Sequence, residues 1–330
     1  MEKIHDNASI KRKNFIYIAK FLAVLLVFNS HMDGVYPINA LATGGALGNC
    51  LFFLISGYTW SNLKEDSFLK WFFKKANRIW LPTVFTNIIF ILLYYNNEFT
   101  FLEMFKIFIY PNKSWFCGAI LLYSVIYYYF VKNDSYNRNK IFLWILVSIY
   151  VIWYIFFIDK TSFCIESFSI YNICRIVFYA ICMLMGYVYK KNESKMKISQ
   201  QSLIFIGSIT FVFIYMSKFL MNKYEFLLKF QFMNQIVTLI CIITIFRILQ
   251  LNEGKYKNTA IMKSIKWIAN YSWEIYLTQT LVIPVFEDMF FPINFVIIIV
   301  ITTLASIILK KLCMSLEKGK EVINEAKKQY

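Results

Sequence analysis

Residues Lys11–Asp33 read KRKNFIYIAKFLAVLLVFNSHMD: three basic residues, an apolar run interrupted by one lysine, and a polar close at Asn29, Ser30, His31 and Asp33. A helix needs roughly 20 apolar residues to cross the ~30 Å hydrocarbon layer. The run therefore predicts a first transmembrane helix near residues 15–33. Basic residues crowded at one end of it follow the positive-inside pattern of membrane proteins.

The design repeats along the chain. Further runs bounded by charges or turn residues lie near 43–62, 79–95, 115–131, 141–158, 170–189, 202–219, 230–249, 267–286 and 293–312, making ten spans in all. Composition agrees, with 59% hydrophobic, 20% aromatic and only 16% charged residues. A soluble domain carries about 25% charged residues, so the apolar excess belongs in lipid. The expected fold class is an all-α, polytopic integral membrane protein. It forms a single transmembrane domain over 1–330, with short cytoplasmic tails 1–14 and 313–330.

Orientation follows from Lys and Arg, of which there are 35. Lys106, Lys113, Lys160, Lys218, Lys223 and Lys229 fall in one set of loops, and Lys20, Arg175 and Arg247 fall within spans. All the others lie on the opposite side, which puts both termini in the cytoplasm. Lys11-Arg12-Lys13, the apolar run and then Ala40-Leu41-Ala42 also resemble a cleavable signal peptide. The polar stretch before that site is long and the run approaches spanning length, so a retained first helix is expected. The net charge of +16 is spread in short clusters between spans rather than gathered on one domain, which argues against nucleic acid. Seven cysteines without a C-x-x-C give neither a disulfide framework nor a metal site, and read as small apolar packing residues.

Ionisable groups inside spans are costly and therefore informative. Lys20 and His31 are eleven residues apart, which in a continuous helix is about 20° in direction and about 16 Å along one face. Snorkelling explains Lys20 alone; the shared face, with Asn29, Ser30 and Asp33 around the imidazole, favours a function for His31. In the second span, Ser56-Gly57 would let another backbone approach. The loop after it carries Lys74, Lys75 and Arg78 just before Pro82. Such a cluster can hold phosphates, although on spacing alone positive-inside anchoring explains it better. Arg175 lies one turn inside the sixth span, where snorkelling competes with function. Arg247 reads as an anchor at an inner end. Glu274 in the ninth span needs a partner, with Arg175 or Lys20 as candidates by charge.

Taken in order, these segments resemble the acyltransferase-3 family of bacterial membrane O-acyltransferases. The family's first helix has an Arg, ten residues, then a His, the relation in which Lys20 and His31 stand. Gly48 through Tyr58 is similar to its Gly followed by F-F-x-x-S-G-Y. Lys75, Arg78 and Pro82 are similar to its R-x-x-R before a proline. The span opened by Trp115, WFCGAILLY, resembles the family's Trp-led helix, and Arg175 with Gly186-Tyr187 its R…G-Y helix. Ser272-Trp273-Glu274-Ile275-Tyr276-Leu277 resembles its late S-x-x-x-Y-L segment. The chain departs from the pattern at Lys20 and Lys75, which replace arginines and lose the bidentate fork. It departs again at Gln279, where a His is common.

The resemblance implies an enzyme that moves an acyl group, with acetyl expected, from cytoplasmic acyl-CoA to a hydroxyl of a cell-surface or lipid-linked carbohydrate. It implies His31 as the catalytic residue and Lys20, Lys75 and Arg78 at the donor. Asp33, Trp115, Arg175 and Glu274 are expected at the substrate, with no metal and no tightly bound cofactor. Acetyl-CoA would be a co-substrate, the lipid bilayer the surroundings and a bacterial plasma membrane the location. His31 can act as general base or as an acyl relay. The rival from another class is a transporter or flippase for lipid-linked sugars. Transporters show internal repeats and broken helices; no repeat is found here, Pro82 is near the start of its span, and only Pro284 lies well within one, near its outer end.

Overall fold

The computed structural model describes residues 13–61, 67–94, 100, 115–132, 135–166 and 172–329. His5, Lys11, Arg12, Lys106 and Lys113 lie outside them. Among the described residues there is no strand, and the α-helices are α1 (Asn14–Asn29), α2 (Gly45–Thr59), α3 (Phe68–Tyr94), α4 (Trp115–Lys132), α5 (Tyr136–Phe157), α6 (Ile173–Asn192), α7 (Gln200–Lys223), α8 (Phe232–Leu251), α9 (Ala260–Asn270), α10 (Ser272–Phe286) and α11 (Ile293–Gln329). The outer faces are apolar: Phe156, Phe205 and Phe219 are 73%, 68% and 63% exposed. Contiguous exposed apolar surface of this kind suits a lipid solvent. The molecule is a polytopic all-α membrane protein.

Among the described residues, eight helical segments are long and apolar enough to cross a bilayer by themselves, α2 counting together with the short helical stretch before it as Asn39–Thr59. Two of the ten predicted spans are shorter, at 16 residues in α1 and 15 in α10. Both are interior elements: α1 packs on α2, α8, α9 and α10, while α10 packs on α1, α3 and α11. Flanked by neighbours rather than lipid, neither has to match the bilayer in length. The span predicted over 267–286 breaks at Tyr271, leaving α9 outside it with Met262 and Ala269 buried.

The first helix also ends earlier than its hydropathy suggests. It stops at Asn29, and His31 sits in the following turn, where its N–H donates to the Phe28 carbonyl at 3.1 Å. The polar close of the run finds partners outside the helix. Asn29 Nδ2 donates to Leu41 O at 2.8 Å and Thr43 O at 3.0 Å, and Tyr36 Oη donates to Asn29 Oδ1 at 2.7 Å. Ser30 Oγ donates back to Val27 O at 2.7 Å. Asn and Ser terminate helices when their side chains take up such bonds. At its other end α1 is capped from a distance. The Asn14 and Phe15 N–H groups donate to Glu253 Oε1 and Oε2 at 2.8 Å and 2.7 Å, a carboxylate at a helix N-terminus.

The tightest crossing joins α2 to α6. A Cβ on Gly57 would run into the Met183 carbonyl, and one on Gly186 into the Leu54 carbonyl. Only glycine allows the two backbones to touch there. The aromatic core beside this contact includes Phe53, whose ring lies 4.6 Å from Phe116, 5.1 Å from Tyr123 and 5.2 Å from Tyr179. That core forms the inner wall of a cavity.

Candidate active site

At the end of the bundle where α1 begins and α2 ends, a cavity of about 700 Å³ opens between α1, α2, α3, α4, α6 and α10. Its charge is one-sided. Lys13 and Lys20 from α1 and its N-cap, Lys74, Lys75 and Arg78 from α3, and Lys190 from α6 line it, against Glu274 from α10. The helical spacing explains the convergence. Lys13, Ile16 and Lys20 fall on one face of α1 at i, i+3 and i+7, and Lys74, Lys75 and Arg78 on one turn of α3. Trp60 and Trp71 add flat surfaces, their rings edge-on at 5.6 Å, and Lys75 Nζ stands 4.8 Å over the Trp60 ring. Phe52, Ile55, Phe116, Ile120 and Tyr276 make the deeper wall apolar.

Two networks fix the rim. Glu193, just past α6, accepts from Lys190 Nζ at 2.7 Å, and from Tyr58 Oη and Gln250 Nε2 at 2.8 Å each. Burial, the largest single influence on Glu193, would raise its pKa; the bonds from Lys190, Tyr58 and Gln250 together hold it below the ordinary value. Arg247 donates to Gln250 Oε1 at 2.7 Å and to Met196 O at 2.8 Å, so it ties α8 to this network. On the other side, Trp273 Nε1 donates to Ile79 O at 3.2 Å, joining α10 to α3 one turn after Lys75. Pro82, which has no N–H for the Arg78 carbonyl, loosens α3 just there.

Glu274 is 8% exposed. Its Oε1 lies 3.6 Å from Lys310 Nζ on α11, while Oε2 is buried without a hydrogen-bond partner among the described residues. The ion pair is thus with Lys310, a residue the charge argument had not considered. Lys310 also donates to Asn270 O, a second lining residue.

The other predicted site residues lie elsewhere. Trp115 and Arg175 form an aromatic–guanidinium stack: Arg175 Cζ is 4.4 Å over the Trp115 ring and 5.5 Å over that of Tyr179, and the two rings stack at 5.5 Å. Arg175 therefore points among aromatic rings of the bundle. Phe116 stands between this stack and the cavity, 5.7 Å from Trp115 on one side and 5.4 Å from Tyr276 on the other.

His31 and Asp33 lie at the far end of α1. With 1.5 Å of rise per residue, Lys20 and the last helical residue, Asn29, are about 14 Å apart along the axis. His31 is half-buried beside fully buried Met32, and Asp33 is exposed. Burial lowers the His31 pKa, the Asp33 charge raises it, and the net shift is below the ordinary 6.5. That direction favours the neutral imidazole, the form that accepts a proton. All seven cysteines are free, Cys164 half-buried and the other six buried.

The structure thus gathers Lys20, Lys75, Arg78 and Glu274 into one cavity and keeps His31 with Asp33, and Trp115 with Arg175, apart from it. Sequence reasoning missed Lys13, Trp60, Trp71 and Lys190. The helical period would have put Lys13 on the Lys20 face, but nothing local ties Lys190 to a cavity more than a hundred residues away in sequence.

No curated protein and no solved structure matches the chain. The family model described as an acyltransferase domain, that of the acyltransferase-3 family, matches residues 13–311. That match covers every residue that lines the basic cavity and the turn that holds His31. The chain belongs to the acyltransferase-3 family, and it is a membrane acyltransferase.

Proposed function

We propose that the protein transfers an acyl group, acetyl by preference, from acyl-CoA bound at its cytoplasmic end to a hydroxyl of a cell-surface or lipid-linked carbohydrate. The observation that carries this reading is the cavity itself. A volume of about 700 Å³ suits a nucleotide-sized ligand, and six cations on its walls suit one rich in phosphates. Arg78 supplies a fork for phosphate oxygens; Lys20, Lys75 and Lys190 act as point charges. The apolar deeper wall suits the methylenes of the donor arm.

His31 is the catalytic residue of this reading. A neutral imidazole removes the acceptor hydroxyl's proton as the oxygen attacks the thioester carbonyl; the carbon–sulfur bond breaks, and the proton passes to the departing CoA sulfur. In the relay variant the imidazole nitrogen attacks the thioester carbonyl, the carbon–sulfur bond breaks and the CoA sulfur leaves with the ring proton. The acceptor hydroxyl then attacks the acyl-imidazole, the carbon–nitrogen bond breaks, and the hydroxyl proton passes to the imidazole. Asp33 and the Trp115–Arg175 pair serve the acceptor side, with Glu274 at the donor arm. In both variants the acyl group must travel along α1 from the Lys20 end toward the His31 end.

Radiolabelled acyl-CoA tests both. Single-turnover mixing without acceptor labels the protein only if the relay operates. His31→Ala should abolish transfer, by ~10²–10⁴-fold for a lost general base, with insertion and CoA binding retained. Transfer near the wild-type rate in His31→Ala would remove His31 from the chemistry and reopen the transporter reading.

A further inference from the structure

Beyond the aromatic wall of the cavity lies a polar group that no described residue satisfies. Gln279 on α10 is 1% exposed, and neither its Oε1 nor its Nε2 has a hydrogen-bond partner among the described residues. An unpaired carboxamide in a packed interior is costly, and in native proteins such a group marks a ligand, a water or a functional constraint. Its position favours the first. Ser272, Tyr276 and Gln279 stand at i, i+4 and i+7, on one face of α10. Ser272 and Tyr276 line the basic cavity. Gln279 therefore continues that lining face about one turn deeper, toward the end of the bundle that holds His31.

A second orphan lies on another lining helix. Asn49 stands three residues before Phe52, a wall residue, on α2; it is 7% exposed, and its Oδ1 is buried without a partner among the described residues. Here α2 runs beside α1, whose Lys20 face leads on to Val27 and the His31 turn. Neither carboxamide lines the basic cavity itself; by helix position each lies beyond its lining residues, on the way to the His31 end.

We propose that Gln279, with Asn49, binds the amide-bearing arm of a CoA thioester as it leaves the basic cavity, and so sets the depth at which the acyl group is presented. A secondary amide offers one N–H and one C=O, and a carboxamide offers the complement of both. The arm of CoA carries such amides between its phosphates and its sulfur, with methylenes that suit Phe52, Ile55 and Ile120 below. This inference rests on the acyl-CoA reading above and assigns to that donor a subsite separate from the cations.

The test compares two probes by calorimetry on purified protein in nanodiscs: CoA, and adenosine bisphosphate, which has the base and phosphates without the arm. Gln279→Leu should weaken CoA binding by roughly three- to tenfold, the worth of a hydrogen bond or two, and leave the bisphosphate unchanged. Its Tm should hold or rise, because an unpaired polar group is removed. Gln279→His, which keeps a donor and an acceptor, should recover most of the CoA affinity. Arg78→Ala should weaken both probes. Unchanged CoA affinity in Gln279→Leu overturns the inference, as does an equal loss for both probes or a change confined to the acceptor's KM. A wild-type protein that binds CoA no better than the bisphosphate overturns it alone. A wild-type protein that binds neither removes the acyl-CoA reading, and this subsite with it.

Discussion

At the residue scale, the basic cluster and the histidine make different demands. Arg78 is exposed at the cavity mouth, so its loss should leave the fold intact. Removing a charge-assisted contact costs about 1.5–3 kcal/mol, and Arg78→Ala should weaken CoA binding by roughly tenfold or more. Lys75→Arg supplies a fork where a point charge now stands over Trp60, and should strengthen it. Isothermal titration with CoA checks both, and unchanged affinity in Arg78→Ala would reduce the cluster to membrane anchoring. For His31 the sign follows from the shift. The pKa is lowered, so the neutral base persists at pH 7 and transfer activity should fall only as pH drops through a value below 6.5. Asp33 opposes that shift, so Asp33→Asn should move the acid limb of the pH–rate profile lower still. A limb that moves upward would exclude His31 as the titrating group.

At the element scale, the α2–α6 crossing holds the cavity's inner wall in place. Gly57→Ala puts a methyl group against the Met183 carbonyl, and neither backbone can yield without moving Phe53 and its aromatic neighbours. Overpacking of this kind costs about 1–3 kcal/mol or more, enough to lower the Tm clearly. Gly254→Ala is the contrast, because a Cβ there meets nothing within 4 Å. That substitution should be neutral or stabilise by about 0.4–1 kcal/mol through the unfolded chain. Thermal melts of the two variants in detergent check the pair; equal behaviour would mean that the crossing is not close in solution. The short helices make the same point differently. Helix α1 is held by Glu253 at its start and by Asn29 at its end, so its register relative to the cavity is set by contacts at both termini.

At the scale of the whole molecule, orientation is the testable property. The charge distribution predicts the basic end in the cytoplasm, and the loop of Thr161 and Ser162 on the other side. Six of the seven cysteines are buried, so replacing half-buried Cys164 alone should give a silent background. In Cys164→Ser, Thr161→Cys should react with a membrane-impermeant maleimide in intact cells, and Lys195→Cys only after permeabilisation. The reverse pattern would invert the topology and move the basic cavity away from cytoplasmic acyl-CoA. On the proposed reading, with the cavity at one end of α1 and His31 at the other, α1 is the axis along which the acyl group passes.

The sequence by itself determined the fold class, the ten apolar segments and their alternation, because apolar run length and basic flanks are local properties that lipid reads directly. It also pointed to Lys20, Lys75, Arg78 and Glu274, since ionisable residues in or beside spans are conspicuous wherever they fall. Only the tertiary structure decided that these four share a cavity, that Lys310 partners Glu274, and that Lys190 and Trp60 belong with them. Each of these depends on contacts between helices far apart in sequence. It also decided that α1 stops at Asn29 and that a span breaks at Tyr271. Averaged hydropathy carries a span through the polar residues in both places, whereas the backbone responds to hydrogen bonds such as those of Asn29 with Leu41 and Thr43. Gln279 shows the same limit: a glutamine in a span is unremarkable as a letter, and becomes a candidate ligand site only when both of its polar atoms are found buried and unpaired.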